Sequence, residues 1–438
     1  MTTVVTDPQH DVVVIGAGLA GLRAAIRLAE EGYGVVIAEA GDDVGGRQRT
    51  DAIDGFLLDR GFQVLNPAYP AIRTWTDARA LRMRSFPAGV QVRRERGLVA
   101  IADPRRHPTS LVASLRSGLI TPRGIVGLAR WIAPALVAPG RALHGSDRTV
   151  REGWDRAGFS GPLRDEVLES FLAGVIADAR FDTSDAFARM LVRLFALGSP
   201  GLPERGIQAL PLQLAGRARA LSVDIRLANS VRRVRAVPGG VDVDVEGADT
   251  LRARSVVVAV GPEAAAGLTG TPQRATRGLQ TWWFNAEEAP TASGMLAVDG
   301  RRRGPVVNTA VISHTAPSYA PAGQHLVEAT CLLPGSDAAA PDERSVRAHL
   351  AEIWGAGAGT GAGAGTGVGA GVGAWRLLRR DDIPHALPAQ PPPLRARPPR
   401  VGPRLYLAGD HRDTASIQGA LVSGDRAARA VIADLRGH

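Results

Sequence analysis

The stretch whose reading decides the fold is Asp11-Val-Val-Val-Ile-Gly16-Ala-Gly18-Leu-Ala-Gly21-Leu-Arg-Ala-Ala-Ile-Arg-Leu-Ala-Glu30. A short β-branched run opens directly into Gly-x-Gly-x-x-Gly, and an Ala/Leu-rich helical pattern follows at once. Gly16 permits the tight strand-to-helix turn, Gly18 lets the backbone approach a pyrophosphate, and Gly21 allows helix and strand to pack closely. The helix N-terminus then presents free N–H groups and a partial positive charge to phosphates. A second strand, Tyr33-Gly-Val-Val-Ile-Ala-Glu39, ends on a carboxylate placed to accept hydrogen bonds from a ribose hydroxyl. Strand, glycine turn, helix and acidic strand end together predict dinucleotide binding.

The rest of the chain bounds this reading. Its 438 residues are enough for about two domains, and 45% apolar content describes an ordinary globular protein. The first ten residues lack the basic and apolar regions of a signal peptide, and no run reaches the roughly 18 apolar residues of a spanning helix. The single cysteine, Cys331, precludes an intramolecular disulfide and fits a reducing compartment, so a cytoplasmic location is expected. The net charge is +9, and every one of the 52 basic residues is Arg. These are scattered and accompany no nucleic-acid-binding module, so neither a nucleic acid partner nor a metal site is expected.

Behind the acidic strand end comes Gly41-Asp-Asp-Val-Gly45-Gly46-Arg47, then Asp59-Arg-Gly61-Phe-Gln63-Val-Leu-Asn66. Residues from about 105 to 200 read mainly helical. Strands resume at Val223, Val231, Gly240 and Ser255, with two further strand-like stretches around Thr281-Trp-Trp-Phe and His325-Leu-Val-Glu-Ala-Thr. A helix is expected from about Asp342 to Trp354. The Gly/Ala-rich tract at 355–373 lacks a preceding strand and reads as a flexible surface insertion rather than a second nucleotide fingerprint. A Pro-rich connector leads to the last unit, Leu405-Tyr-Leu-Ala-Gly409-Asp410-His-Arg-Asp-Thr-Ala-Ser416-Ile417-Gln-Gly419-Ala, a strand, polar loop and helix.

These three separated pieces resemble the FAD-dependent oxidoreductases of the amine oxidase, protoporphyrinogen oxidase and carotenoid (phytoene) desaturase superfamily. The match rests on the N-terminal fingerprint with Glu39, the trailing Gly45-Gly46-Arg47, the central Gly206-Ile-Gln-Ala-Leu-Pro segment, Pro384-His-Ala-Leu-Pro388 and the C-terminal motif. It implies an α/β fold: a discontinuous, glutathione-reductase-like (Rossmann-type) FAD domain with an inserted α+β substrate domain. The implied FAD-binding parts are 1–80, 205–265 and 376–438, and the substrate-binding and helical parts 81–204 and 266–375.

The resemblance also implies roles. Gly16, Gly18 and Gly21 hold the pyrophosphate, Glu39 the adenosine ribose, and Gly46 and Arg47 lie along the phosphate and ribose side. Val231 pairs its backbone with adenine. Gly409 and Asp410 meet the ribityl-diphosphate, with Ser416 and Gly419 in the same motif. Ile417 offers its N–H to the flavin pyrimidine edge, where charge accumulates on reduction. Gly61 and Gln63 pass close to the isoalloxazine. The implied activity is removal of a hydride from a lipophilic or polycyclic small molecule onto flavin N5, as an oxidase or a dehydrogenase/desaturase, with oxygen or a quinone as acceptor. The alternatives are a flavin amine oxidase, a redox-neutral flavin-dependent isomerase and a non-catalytic FAD-binding protein.

The chain departs from the amine oxidase pattern in having no Lys anywhere and Thr414-Ala-Ser416 where an aromatic is expected. Cys331 lies far from that motif, which points to non-covalent FAD. Candidate acid/base residues are His411 and Asp413 beside the flavin motif and His385 and His314 in the substrate half. Asp59 reads either as an active-site carboxylate or as a turn cap. The apolar helical region 110–137 suggests a lipophilic channel, peripheral membrane contact or an ordinary helical cap.

Overall fold

The structure, a computed structural model, describes residues 9–107, 111–334, 339–355 and 371–437. The core of the Gly/Ala-rich tract, 356–370, lies outside the described residues.

The strand His10–Ile15 is almost wholly buried, as its unbroken β-branched run requires of a strand covered on both faces. It pairs in parallel with Val35–Ala38 on one side and Leu251–Val258 on the other, with Val14 opposite Ile37 and Val257. Asp224–Arg226 and Leu405–Leu407 extend this parallel core, and an antiparallel hairpin of Val231–Val237 and Gly240–Val245 flanks it. The helix Leu19–Glu30 returns over the sheet. It packs against the final helix Ile417–Arg436 and the helix Ala209–Ala220 around Leu22, Ile26, Leu214 and Leu421. A buried pair, Arg23 to Asp425 at 2.6 Å, crosses the same helix contact, and the Arg23 guanidinium lies over Trp75.

A second, seven-stranded sheet has the order Arg376–Pro388, Thr276–Ala286, His325–Leu333, Val306–Val311, Leu296–Asp299, Gly89–Arg94 and Gly97–Ala102. The helix Glu343–Trp354, capped by Asp342, covers one face through Val346, Leu350 and Ile353 against Val327, Ala329 and Cys331. On the other side sits a helical cap built on Trp131, Trp154, Phe159 and Phe181, with helices Pro122–Val137, Val150–Ala157, Glu169–Val175 and Asp185–Leu197.

One expectation about organisation is corrected. The segment 376–388 pairs along Thr276–Ala286, with Trp282 opposite Arg380, and so belongs to the second sheet rather than to the dinucleotide-binding half. Its place in the sequence groups it with the C-terminal motif, whereas backbone pairing assigns it to the neighbouring sheet.

Candidate flavin site and its surroundings

The glycine loop is bare backbone. Gly16 has φ +100°, and a Cβ on Gly21 would fall 1.9 Å from the Gly16 carbonyl oxygen, so the helix can sit this close only with glycine there. A Cβ at Gly18 would meet nothing within 4 Å, and one at Gly46 would approach the Gly18 Cα at 3.4 Å. Two glycines therefore face each other across an open strip of backbone. The helix starting at Leu19 has no side-chain cap and no acidic residue in its first turn, which leaves its positive end available to phosphate.

Glu39, half-buried at the strand end, accepts from Ala17 N–H (2.5 Å) and Gly41 N–H (2.8 Å). Its backbone also meets the approach to Val231: Asn229 N–H donates to the Glu39 carbonyl at 2.7 Å, and Ala228 N–H to that of Gly41 at 2.8 Å. Val231 itself opens the hairpin strand opposite Val245. The expected ribose and adenine contacts are thus neighbours.

The two ends of the chain meet at Arg47. Its guanidinium donates to Asp410 Oδ1 (2.7 Å) and to the Ala386 carbonyl (2.8 Å), while Gln63 Nε2 donates to the Arg47 carbonyl (2.7 Å). Asp410 is buried and also accepts from His411 N–H; Gly409 N–H donates to Ser423 Oγ at 2.7 Å. Ser416 caps the final helix by accepting from Gly419 N–H at 3.0 Å, so half-buried Ile417 stands at its first turn. Gly61 has φ +87° and fits against Ile383 of the second sheet, and Phe62 N–H donates to Thr281 Oγ1 at 3.2 Å. The 61–63 loop is therefore seamed between the two sheets.

The acid/base candidates separate. The His411 ring is buried beside Gly409 with neither nitrogen hydrogen-bonded, and burial holds it down to about 4, hence neutral at pH 7. Asp413 is committed to Arg426 at 2.9 Å. His385 Nδ1 bonds Thr276 Oγ1 at 2.7 Å, and His314 packs edge-on to His325 with ring centroids 5.2 Å apart. Asp59 takes the structural role: it is buried and accepts from Thr50 Oγ1 (2.6 Å), Ile207 N–H (3.0 Å) and Tyr319 O–H (3.1 Å), and burial raises its carboxyl to about 6.

Two groups escaped sequence reasoning. Gln48, directly behind Arg47, is buried with neither amide atom paired. Asp381, opposite Thr281, accepts from Trp283 Nε1 at 3.2 Å and from Arg379 at 3.0 Å. The unpaired Gln48 amide and the bare Gly18–Gly46 backbone fit a flavin cofactor, which would bring hydrogen-bonding partners to the first and approach the second closely.

A Rossmann-type half completed by its own C-terminal helix and roofed by a second sheet defines a flavin-binding oxidoreductase. The chain belongs to the family of flavin containing amine oxidoreductases, whose family model matches residues 19–432. Hydroxysqualene dehydroxylase of Rhodopseudomonas palustris is 29% identical over 450 positions, which span 96% of this chain and 98% of that protein. Putrescine oxidase of Kocuria rosea is 48% identical, but over only 59 residues, 14% of this chain and 12% of that one. Among solved structures, a putative protoporphyrinogen oxidase from Exiguobacterium sp. 255-15 superposes with a TM-score of 0.71 at 19% identity, covering 98% of this chain and all of that one.

Proposed function

We propose that the chain binds FAD non-covalently and exchanges hydride with a lipophilic small molecule held between the second sheet and the helical cap. The observation that carries this reading is the convergence of Gly18, Gly46, Glu39 and the Arg47–Asp410 pair, drawn from opposite ends of the chain, on one strip of open backbone. Gly16, Gly18 and Gly21 hold the pyrophosphate, Glu39 the ribose, Val231 the adenine edge and Ile417 the pyrimidine edge. Flavin supplies the two-electron chemistry; the protein orients the substrate and excludes water.

Non-covalent binding is supported by Cys331, which is buried on the helix-covered face of the second sheet with its thiol pushed up by burial. The flavin-binding parts are 1–80, 205–265 and 389–438, and the substrate-binding parts 81–204 and 266–388. Likeness to hydroxysqualene dehydroxylase over nearly the whole chain favours an apolar substrate, whereas likeness to putrescine oxidase is confined to a short segment. Oxygen or a quinone accepts the electrons.

The cap supports peripheral contact with an anionic membrane. Among the described residues no helix is long and apolar enough to cross one. Yet between Asp103 and Asp147 there is no acidic residue and there are six Arg, and Val112, Leu115, Ile125, Val126, Leu136 and Val137 stand exposed in the same stretch. Val137 is 84% exposed. Apolar side chains among cations match a lipid surface.

The test is purification of the chain, a flavin absorbance spectrum and release of the cofactor by denaturant. FAD in the supernatant with none left on the protein is the expected result; a colourless protein that FAD cannot reconstitute overturns the proposal. Bleaching of the flavin by amines with peroxide release on reoxidation would instead favour an amine oxidase.

A further inference from the structure

Glu328 is fully buried at the middle of the strand His325–Leu333, directly between Trp283 and Ala310 on the adjacent strands. Its neighbour two residues on, Thr330, lies between Thr281 and Asn308. Strand alternation puts these six side chains on one face, and the opposite face carries Trp282, Val327, Ala329 and Cys331 against the helix Glu343–Trp354. The Glu328 face is the one the 61–63 loop touches, through Phe62 N–H on Thr281 Oγ1. It is also the face the cap covers: a Cβ on Gly174 would lie 2.3 Å from Asn308 Nδ2.

The hydrogen bonding on this face is unfinished in a particular way. Thr330 Oγ1 donates to Glu328 Oε2 at 3.0 Å, while Glu328 Oε1 has no partner. Asn308 Oδ1, on a diagonal neighbour, is also buried and unpaired. The charged groups on this face are already paired with each other, Arg379 with Asp381 beyond Trp283, and Arg277 with Asp178 toward the other end of the strand. A carboxyl isolated from cations and water stays protonated, and burial indeed pushes Glu328 well above the usual carboxylate range. With Oε2 accepting, the proton resides on Oε1. The face therefore offers one free donor, Glu328 Oε1–H, and one free acceptor, Asn308 Oδ1, within diagonal reach across two strands.

We propose that Glu328 and Asn308 together receive a hydroxyl group of the lipophilic substrate. An alcohol accepts from Glu328 and donates to Asn308; a hydrocarbon satisfies neither group, a carbonyl only the first, and an ammonium, which only donates, only the second. No covalent step is involved, and both residues are positioning residues that set specificity. The inference rests on the proposed function, because it assigns that function's substrate its polar end.

The test uses the full chain reconstituted with FAD, with farnesol, its hydrocarbon analogue farnesene and farnesylamine as probes, read by tryptophan fluorescence and by infrared difference spectroscopy. Two hydrogen bonds of ordinary strength predict that wild type prefers farnesol over farnesene by about tenfold. Glu328→Leu, a change that removes the buried carboxyl and leaves the site apolar, is expected to abolish the preference while still binding farnesene. Glu328→Gln, which keeps a donor, restores most of it, and Asn308→Leu lowers it. The C=O stretch of a protonated carboxyl, absent from Glu328→Gln, is expected at neutral pH and shifts when farnesol binds.

Three results overturn the proposal: an undiminished preference in Glu328→Leu, a carboxyl band that farnesol leaves unmoved because water alone fills the site, or tightest binding of farnesylamine with conversion of the band to carboxylate. The flavin spectrum of the same samples separates this from failure of the cofactor reading, since both readouts remain measurable on a protein that takes up no FAD.

Discussion

Arg47 sits in a turn near one end of the chain and Asp410 in a loop near the other, and their 2.7 Å contact joins the two halves of the proposed cofactor site. Arg47→Ala leaves Asp410 buried and without this partner, and hydrogen bonds to charged groups of this kind are worth about 1.5–3 kcal/mol. We expect FAD affinity to fall roughly ten- to hundredfold, read by titrating apoprotein with FAD, with the fold intact by circular dichroism. Asp59 makes a prediction of a different sort. Its folded carboxyl titrates near 6, above the ordinary value of 3.8, so the folded state binds the proton more tightly than the unfolded one. The stability this contributes is fully present below pH 3.8 and is lost as pH rises through 6, a change of about 3 kcal/mol. Asp59→Asn should remove that component, flattening the fall of unfolding free energy between pH 4 and 6 in denaturant titrations relative to wild type. A variant with the unchanged wild-type slope would show that Asp59 is ionised in the fold.

At the scale of elements, the first and last helices cross so closely that a Cβ on Gly424 would lie 2.1 Å from the Ala20 carbonyl oxygen. Gly424→Ala must push the helices apart, and overpacking of this kind costs about 1–3 kcal/mol. Because the first helix carries the N-terminus proposed to hold the phosphates, the same variant should also release FAD more readily, by equilibrium dialysis. Gly216 is the control: it lies within the helix Ala209–Ala220 with nothing near its would-be Cβ, so Gly216→Ala should be neutral or stabilise by up to about 1 kcal/mol. The element assignments show where pattern reading succeeds. The strand His10–Ile15 and the helix Leu19–Glu30 were legible because burial on both faces and an unbroken helical pattern leave one consistent reading. In His325-Leu-Val-Glu-Ala-Thr a strand was legible, but not the surroundings of the side on which Glu328 stands. That side is covered by the cap, which no local pattern encodes.

For the whole molecule, Val112, Leu115, Ile125, Val126, Leu136 and Val137 stand exposed on the cap, while Trp131 of the same stretch joins the cap core that runs to Ala415, beside the C-terminal motif. Val126→Asp combined with Val137→Asp should lower co-sedimentation with anionic vesicles at least severalfold, leaving Tm within about 2 °C because both side chains are exposed. Raised salt should weaken the wild-type interaction as the Arg charges are screened.

The sequence by itself determined the dinucleotide half, because a glycine turn, a helix start and an acidic strand end are local devices whose chemistry follows from spacing along the chain. It also linked the N-terminal glycine motif to the distant C-terminal one, through residue patterns that read the same wherever they fall. Only the tertiary structure decided that 376–388 pairs into the second sheet, that Asp59 braces three elements, that Asp413 is spent on Arg426 and that Glu328 is enclosed without a counter-charge. The reason is physical. Backbone pairing partners and the dielectric around a carboxyl are set by segments that can lie a hundred residues or more away along the chain, and a side chain's identity says nothing of what covers it.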